Sequence, residues 1–368
     1  MKTQVCSVAD SSTRELSVLV QHELQNPLLN LQGALRLLST GRFGKLSSEG
    51  SQLLHQAVVN LDRLQRLAIA VEEQPQSLKA ILSEEQLRLL ALQRDLPRAI
   101  INREIYLVYQ PIFNPAANQI IGFEALARWQ HPIYGAIPPN VFIPLAEEQD
   151  LIHSMGKNLI EEACCQLRAW QKTFPEHQNL TISVNLSVLQ LSKLDLPHHI
   201  EQVVAATKIN PANLKLEITE SAIIENSEVV SEVLQRLRGL GVKLHLDDFG
   251  TGYSALSRLQ GLPVDTLKID RSFVANKNWE ICEVILTLAN KLGLRVIVEG
   301  IETQEEATIL GQLGFQQMQG YLFSHPLSAE MATSHLEKTV PTTRHLFPTA
   351  IQEKCPCLVS ASMLPVAS

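Results

Sequence analysis

Polar and charged side chains recur at the carboxyl ends of short apolar runs: Glu124, Asn185, Glu217, the adjacent pair Asp247 and Asp248, Lys268, Glu299 and Gln319. Taken singly, Glu217 or Glu299 reads as a charge that caps a helix or pairs at the surface. Recurring in phase, they imply one shared site. Several buried carboxylates are unfavourable together unless something positive neutralises them, and an oxygen-rich ligand set suits Mg²⁺ or Mn²⁺. Two such ions about 3.5–4 Å apart form a clamp for phosphodiester cleavage, activating a water and stabilising the attacking and departing oxygens. They would also invert the negative field, so that a phosphate anion could enter. Successive residues of a regular strand point to opposite faces, so Asp247 and Asp248 can both turn inward only where the pleat relaxes at the strand's end, one of them bridging two ions. Gly250 and Gly252 follow at once and permit a tight turn there.

The elements that must position these residues begin at Glu104. Apolar runs "IYLVYQPI", "IIGFEALARW", "LTISVNLS", "LKLEITE", "VKLHLDD", "DTLKID", "LRVIVEG" and "FQQMQG" alternate with helical stretches. Such alternation over about 230 residues fits an α/β, TIM-like (β/α)8 barrel better than an open doubly wound sheet. In a barrel the carboxyl ends of all strands lie on one face, and residues distant in sequence meet there.

The chain has 368 residues, 45% of them hydrophobic, enough for a large domain and a smaller one. A net charge of −7 argues against binding a nucleic-acid polymer through a basic surface. No run approaches the roughly 18 apolar residues of a membrane span, and "MKTQVCSVADSSTRELS" lacks the basic start and apolar core of a signal peptide. The expected compartment is the cytoplasm, without a membrane partner. Six cysteines make no disulfide framework in a chain this long, and Cys355-Pro-Cys357, with no second such pair, reads as two tail thiols.

Residues 96–335 resemble the EAL-domain cyclic di-GMP phosphodiesterases. The resemblance rests on "FEALARW", with its Glu124-Ala125-Leu126, and on "YQPI", "SVNLS", "LEITES", "LDDFGTGYSALSRLQGLPVDTLKIDRSFV", "VIVEGIET" and "QGYLFSHPL" in that order. It implies hydrolysis of cyclic di-GMP to linear pGpG with one or two Mg²⁺ or Mn²⁺ ions per barrel. One ion would lie among Glu124, Asn185, Glu217 and Asp247, and the second among Asp247, Asp248 and Glu299. Lys268 would orient or deprotonate the attacking water. Gln110 and Arg128 fall at substrate-contacting positions, the guanidinium suiting a phosphate through paired donors. Glu302 falls on the substrate side, and Gln319 at a position supporting the metal site and its waters. Glu220 matches the residue that braces the loop starting Asp248-Phe249-Gly250-Thr251-Gly252, a loop beside the family's dimer contact. The matching positions all keep the required residue types, which favours an enzyme over a non-catalytic cyclic di-GMP receptor.

Residues 12–72 show helical periodicity in two blocks broken at "RFGKL", a helical hairpin. The hairpin resembles the dimerisation and phosphoacceptor (HisKA) domain of sensor histidine kinases, with His22-Glu23-Leu24-Gln25-Asn26-Pro27 at the histidine box. An exposed imidazole beside an acid can accept a phosphoryl group. Gln25 replaces the usual Arg or Lys, and the barrel follows where an ATP-binding domain would stand, so self-phosphorylation is not expected. His22 is then either a surface histidine on a dimerisation module or an acceptor or docking point for a histidine kinase or response regulator. The latter leaves a signalling adaptor as a further alternative. The expected organisation is 1–75 all-α hairpin, 76–98 helical linker, 99–335 barrel and 336–368 disordered tail, in a homodimer whose two hairpins make a four-helix module.

Overall fold

Leucine, valine and isoleucine at every second position drive the runs from Ile105 onward into strands, because alternate side chains then share one buried face. The computed structural model describes residues 84–220, 228–250 and 262–339, with the isolated helical positions Leu31, Leu35, Leu54, Ala57, Val58 and Leu61. His22, Cys355-Pro-Cys357, most of the expected hairpin and nearly all of the expected tail lie outside the described residues. The chain divides into two compact units, Met1–Arg98 and Ala99–Ser368. In the first unit Leu61 is buried with Leu35 packed against it. Helix α1, Glu84–Ile101, opens on Glu84 and Glu85 and carries Arg98 in its last turn, charges that suit the two ends of its dipole.

The second unit is a closed barrel of eight strands. These are β1 (Ile105–Asn114), β2 (Gln119–His131), β4 (Thr181–Leu186), β5 (Leu214–Thr219), β6 (Lys243–Phe249), β7 (Thr266–Ile269), β8 (Arg295–Val298) and β9 (Gln317–Met318). A short β3, Gly135–Ile137, adds to β2 outside the closed ring. Around the ring the order is β1-β9-β8-β7-β6-β5-β4-β2, and the β1–β2 pairing closes it.

Regular alternation of strand and helix fails at the start. β1 runs antiparallel to both β2 and β9, while β2, β4, β5, β6, β7, β8 and β9 pair parallel in turn. No helix separates β1 from β2, because the connection "PAAN" is a hairpin turn. The Ala117 N–H donates to Asn114 Oδ1 at 3.0 Å, and Asn118 takes a left-handed φ of 51°.

Helices α2 (Pro139–Glu148), α3 (Ile152–Thr173), α4 (Val188–Leu191), α5 (Leu196–Thr207), α6 (Glu228–Gly239), α7 (Arg271–Ala275), α8 (Trp279–Leu292), α9 (Gln304–Leu313) and α10 (Ala329–Thr339) follow in the connections. The amphipathic α3 covers the barrel with Leu159, Ile160, Ala163, Leu167 and Trp170. Trp170 meets Phe123 and Tyr109 at ring-centroid distances of 4.7 and 5.0 Å. Leu216, Ile218, Leu244, Leu246, Leu267 and Ile269 form the helix-facing layer, all buried. The opposite parity of the same strands is polar: Lys215 and Glu217 on β5, Lys243, His245 and Asp247 on β6, Thr266 and Lys268 on β7. Among the described residues no helix is long and apolar enough to cross a membrane.

Candidate active site at the carboxyl ends of the strands

β2, β5, β6 and β7 each bring one charged side chain to a common point, and Glu299, the residue after β8, brings a fifth. The Lys268 Nζ lies 2.5 Å from Glu217 Oε2, 2.7 Å from Glu299 Oε1, 3.0 Å from Asp247 Oδ1 and 3.4 Å from Glu124 Oε2. Lys268 and Glu217 are each 1% exposed. Glu124 is fixed from two more sides. Asn185 Nδ2 donates to its Oε1 at 2.9 Å, and Gln319 Nε2 donates to its Oε2 at 2.6 Å. The same Gln319 amide reaches Gln110 Oε1 at 3.3 Å, and Gln110 is the register partner of Glu124 across the β1–β2 hairpin. Glu124, Asn185, Glu217, Asp247, Lys268, Glu299, Gln319 and Gln110 thus form one connected group.

Asp248 is placed differently from Asp247. The β6–β7 register slips between Leu246 and Phe249, a bulge that lets Asp247 turn toward Lys268. Asp248 takes the left-handed φ of 53° and is exposed. Partial desolvation of the carboxyl, then the neighbouring Asp247 and Asp270, push it above the ordinary range. It stands at the rim of the cluster.

The other expected site residues lie apart from this group. Arg128 sits half-buried on the same face of β2 as Glu124, and its Nη1 donates to the Ala127 carbonyl at 2.8 Å. Glu302 is exposed, and its N–H donates to Glu306 Oε2 at 2.8 Å inside the capping box of α9. Glu220 is buried, and neither of its carboxylate oxygens has a hydrogen-bond partner among the described residues. The loop it was expected to brace continues into 251–261, which lie outside the described residues.

Four carboxylates around one ammonium leave a net negative charge in a largely buried site, where each buried ion costs several kcal/mol unless compensated. The titration behaviour follows. Burial would lower Lys268, but Glu124, Glu217, Glu299 and Asp247 together hold it well above its usual value. Burial would raise Glu124, yet the Lys268 ammonium and the donors on Gln319 and Asn185 hold its carboxyl below the ordinary range. Glu217 lacks those amide donors; burial and the neighbouring carboxylates push it well up. Burial likewise pushes Glu299 up to about 8, against the pull of Lys268.

His245 was not anticipated from the strand ends. It is buried beneath Glu217, its Nδ1 3.6 Å from Glu217 Oε1, and burial with Lys215, Lys268 and Arg295 keeps it neutral. Its signal was the period of two in "KLHLDD", which puts His245 on the face of Asp247.

The backbone turns tightly just after Glu299. Gly300 has φ of 75°, and a Cβ there would run into Arg271 at the start of α7. We expect Gly300→Ala to destabilise the fold by about 1–3 kcal/mol or more in denaturant unfolding, since left-handed strain and the contact with Arg271 add. Equal stability would show that this turn relaxes freely.

Among the described residues no three His, Cys, Asp or Glu side chains are already grouped as metal ligands. The ammonium stands at their centre instead. The donor set nevertheless fits a hard divalent cation: it is all oxygen from carboxylates and amides, and Glu217 Oε1 is buried with no hydrogen bond.

The EAL domain family model matches residues 93–326. The oxygen sensor protein DosP of Escherichia coli (strain K12) is 41% identical over 260 residues, 68% of this chain and 32% of that protein. MucR of Pseudomonas aeruginosa, named a bifunctional diguanylate cyclase/cyclic di-GMP phosphodiesterase, is 38% identical over 253 residues, 67% of this chain and 36% of its own length. The chain therefore spans about a third of the length of these curated relatives. Among solved structures, a PaMucR phosphodiesterase in complex with c-di-GMP aligns with a TM-score of 0.62 at 37% identity, covering 66% of this chain and 99% of that one.

Proposed function

We propose that this chain, which belongs to the EAL domain family, hydrolyses one phosphodiester of cyclic di-GMP to linear pGpG with the help of a divalent cation, Mg²⁺ or Mn²⁺. The observation that carries this reading is the group of Glu124, Glu217, Asp247 and Glu299 within 3.4 Å of the Lys268 ammonium. A surplus of buried carboxylate at the mouth of a barrel needs further positive charge, and an anionic substrate needs that surplus reversed.

Glu124, Asn185, Glu217 and Asp247 would hold one cation, with Asp248 and Glu299 sharing a second with Asp247. A bound divalent ion polarises a phosphoryl oxygen and lowers the pKa of its water. The chain's own residues do the rest. Gln319 and Asn185 fix the carboxylate of Glu124 by donating to both its oxygens. Lys268, an ammonium here, orients by donating hydrogen bonds rather than accepting a proton. Gln110 at the rim and Arg128 further along β2 would position the phosphodiester, and Glu302 would contact the substrate at the opening. A water oxygen bonds to phosphorus as the P–O3′ bond breaks and a proton from that water ends on O3′, leaving a 5′-phosphate and a 3′-hydroxyl on the product.

Glu220 would act at a distance as a positioning residue for the loop after Asp248. Homodimerisation, the organisation of residues 1–75 as a dimerisation hairpin, and input from a histidine kinase or response regulator at His22 belong to the same reading and rest on the N-terminal resemblance.

Cation and proton compete for the same carboxylates, which gives a test separable from turnover. Glu299 keeps its proton in the fold up to about pH 8, whereas an unfolded chain releases it near the ordinary 4.5. The native state therefore binds more protons in that window, and stability of the cation-free protein falls as pH rises through it. Mg²⁺ or Mn²⁺ displaces those protons, so the melting-temperature gain on adding either ion should grow from pH 6 to pH 8.5. Glu299→Gln should flatten that trend. A gain independent of pH in the parent chain would place the cation elsewhere. Product analysis tests the reaction itself: pGpG should form with either ion and not in EDTA.

A further inference from the structure

Lys215 is a second buried lysine on the inner parity of the barrel, and its situation is the reverse of that of Lys268. It is 6% exposed and, among the described residues, makes no ion pair or hydrogen bond. Burial and then the neighbouring Arg295 push its ammonium down to about 8, against the longer-range attraction of Glu217 and Asp265. An enclosed ammonium without a protein partner is costly, and an anion in the space it faces would stabilise it.

The ammonium lines a cavity of about 540 Å³ at the opposite end of the barrel from the carboxylate cluster. Its other charged walls are Arg238, Lys243, Asp265 and Arg295, with His245 between them and the cluster. Lys243 and Arg295 open β6 and β8, and Lys215 lies near the start of β5, so the cations come together at the amino ends of three strands. The one acid in the wall is already committed. Asp265 accepts from Lys243 Nζ at 2.9 Å and from the Leu244 N–H at 3.0 Å. Arg238 and Arg295 are exposed and form no ion pair among the described residues.

With Lys243 balanced by Asp265, three cations remain uncompensated. The ends of α6 and α8 beside the cavity contribute partial negative charge. Their last carbonyls are partly satisfied, α6 by the Leu240 and Gly241 N–H groups and α8 by those of Gly293 and Leu294. The balance stays positive. Leu262, Val264 and Leu294 supply an apolar wall beside the charges. Guanidinium and ammonium groups facing one space, with an apolar flank, suit a phosphomonoester carrying an organic group, and the volume lies in the range of small-ligand sites.

We propose that this cavity is a second binding site, for a phosphomonoester of about mononucleotide size, anchored by Lys215 and Arg295. It does not depend on the reaction proposed for the other end.

The test is calorimetric titration of the full chain, in EDTA at fixed ionic strength, with AMP, inorganic phosphate and adenosine as separate probes. AMP should bind near one equivalent, phosphate more weakly, and adenosine not at all. Lys215→Met and Arg295→Gln should each weaken AMP at least tenfold. Arg295 is exposed, so its variant keeps the test valid if Lys215→Met fails to fold. Adenosine binding as well as AMP, absence of AMP binding at millimolar concentration, or AMP affinity unchanged in Arg295→Gln would each overturn the proposal.

Discussion

Replacing Lys268 by Met is expected to abolish turnover and, in EDTA at pH 8, to cost about 3–5 kcal/mol of stability, the usual consequence of removing one partner from a buried charge cluster. Four carboxylates then face one another with no cation. The ammonium is their shared counter-charge, 2.5 Å from Glu217 and 2.7 Å from Glu299. They would respond by taking up protons, so the loss should shrink at pH 5, where Glu299 and Glu217 are protonated in either protein. The direction is fixed by the raised values of both groups: the penalty grows with pH. Mg²⁺ or Mn²⁺ should restore much of the lost stability, since a divalent ion neutralises the same oxygens. It should not restore turnover, because no donor then stands where Nζ is proposed to orient the nucleophile. Denaturant unfolding at the two pH values, with and without cation, checks the first part. Recovery of both stability and activity by cation would show that Lys268 is only a counter-ion.

Glu124→Gln should lower turnover by about three orders of magnitude or more while leaving cyclic di-GMP binding measurable. The substitution is nearly isosteric, but it reverses the hydrogen-bond logic. Glu124 accepts from Asn185, Gln319 and the nearby Lys268, and a glutamine amide nitrogen would meet one of these donors head-on. It also removes one charge from the set expected to hold the cation. Glu124 would help hold a divalent cation, and weakening that hold would lessen both the acidification of water and the stabilisation of the departing oxygen that such an ion supplies. Single-turnover rates with bound substrate separate this from a binding defect. A loss below tenfold would mean that Glu124 serves packing rather than the reaction.

Much of this arrangement was legible in the chain because barrel geometry turns sequence into proximity. Glu124, Asn185, Glu217, Asp247, Lys268, Glu299 and Gln319 could be grouped from strand phase alone, since the carboxyl ends of parallel strands share one face. β1 was not legible as antiparallel. An apolar strand looks the same in either direction, and the turn chemistry of Asn114 and Asn118 that fixes the hairpin is short-range and easily passed over. Asp248 could not be placed either. Whether two adjacent acids turn the same way depends on a register slip between β6 and β7, which is a property of the neighbouring strand. Nor could the role of Lys268 as the hub of four carboxylates be read, because ion-pair partners are set in three dimensions.

The polar inner parity of β5 and β6 was visible as "LKLEIT" and "KLHLDD" but reads like an ordinary half-exposed strand. In a closed barrel both faces are buried, and the same pattern instead describes a polar interior, with carboxylates toward the carboxyl ends and cations toward the amino ends. Lys215 and His245 belong to the part that only closure of the ring reveals.

The central claim, metal-assisted addition of water to cyclic di-GMP at this cluster, is most directly tested by running the purified chain with Mn²⁺ or Mg²⁺ in ¹⁸O-labelled water and analysing nucleotides by mass spectrometry. The expected result is stoichiometric conversion to pGpG carrying one ¹⁸O on its 5′-phosphate, absent in EDTA and in Glu124→Gln. Tight binding of cyclic di-GMP that is recovered intact and unlabelled under both cations would contradict it.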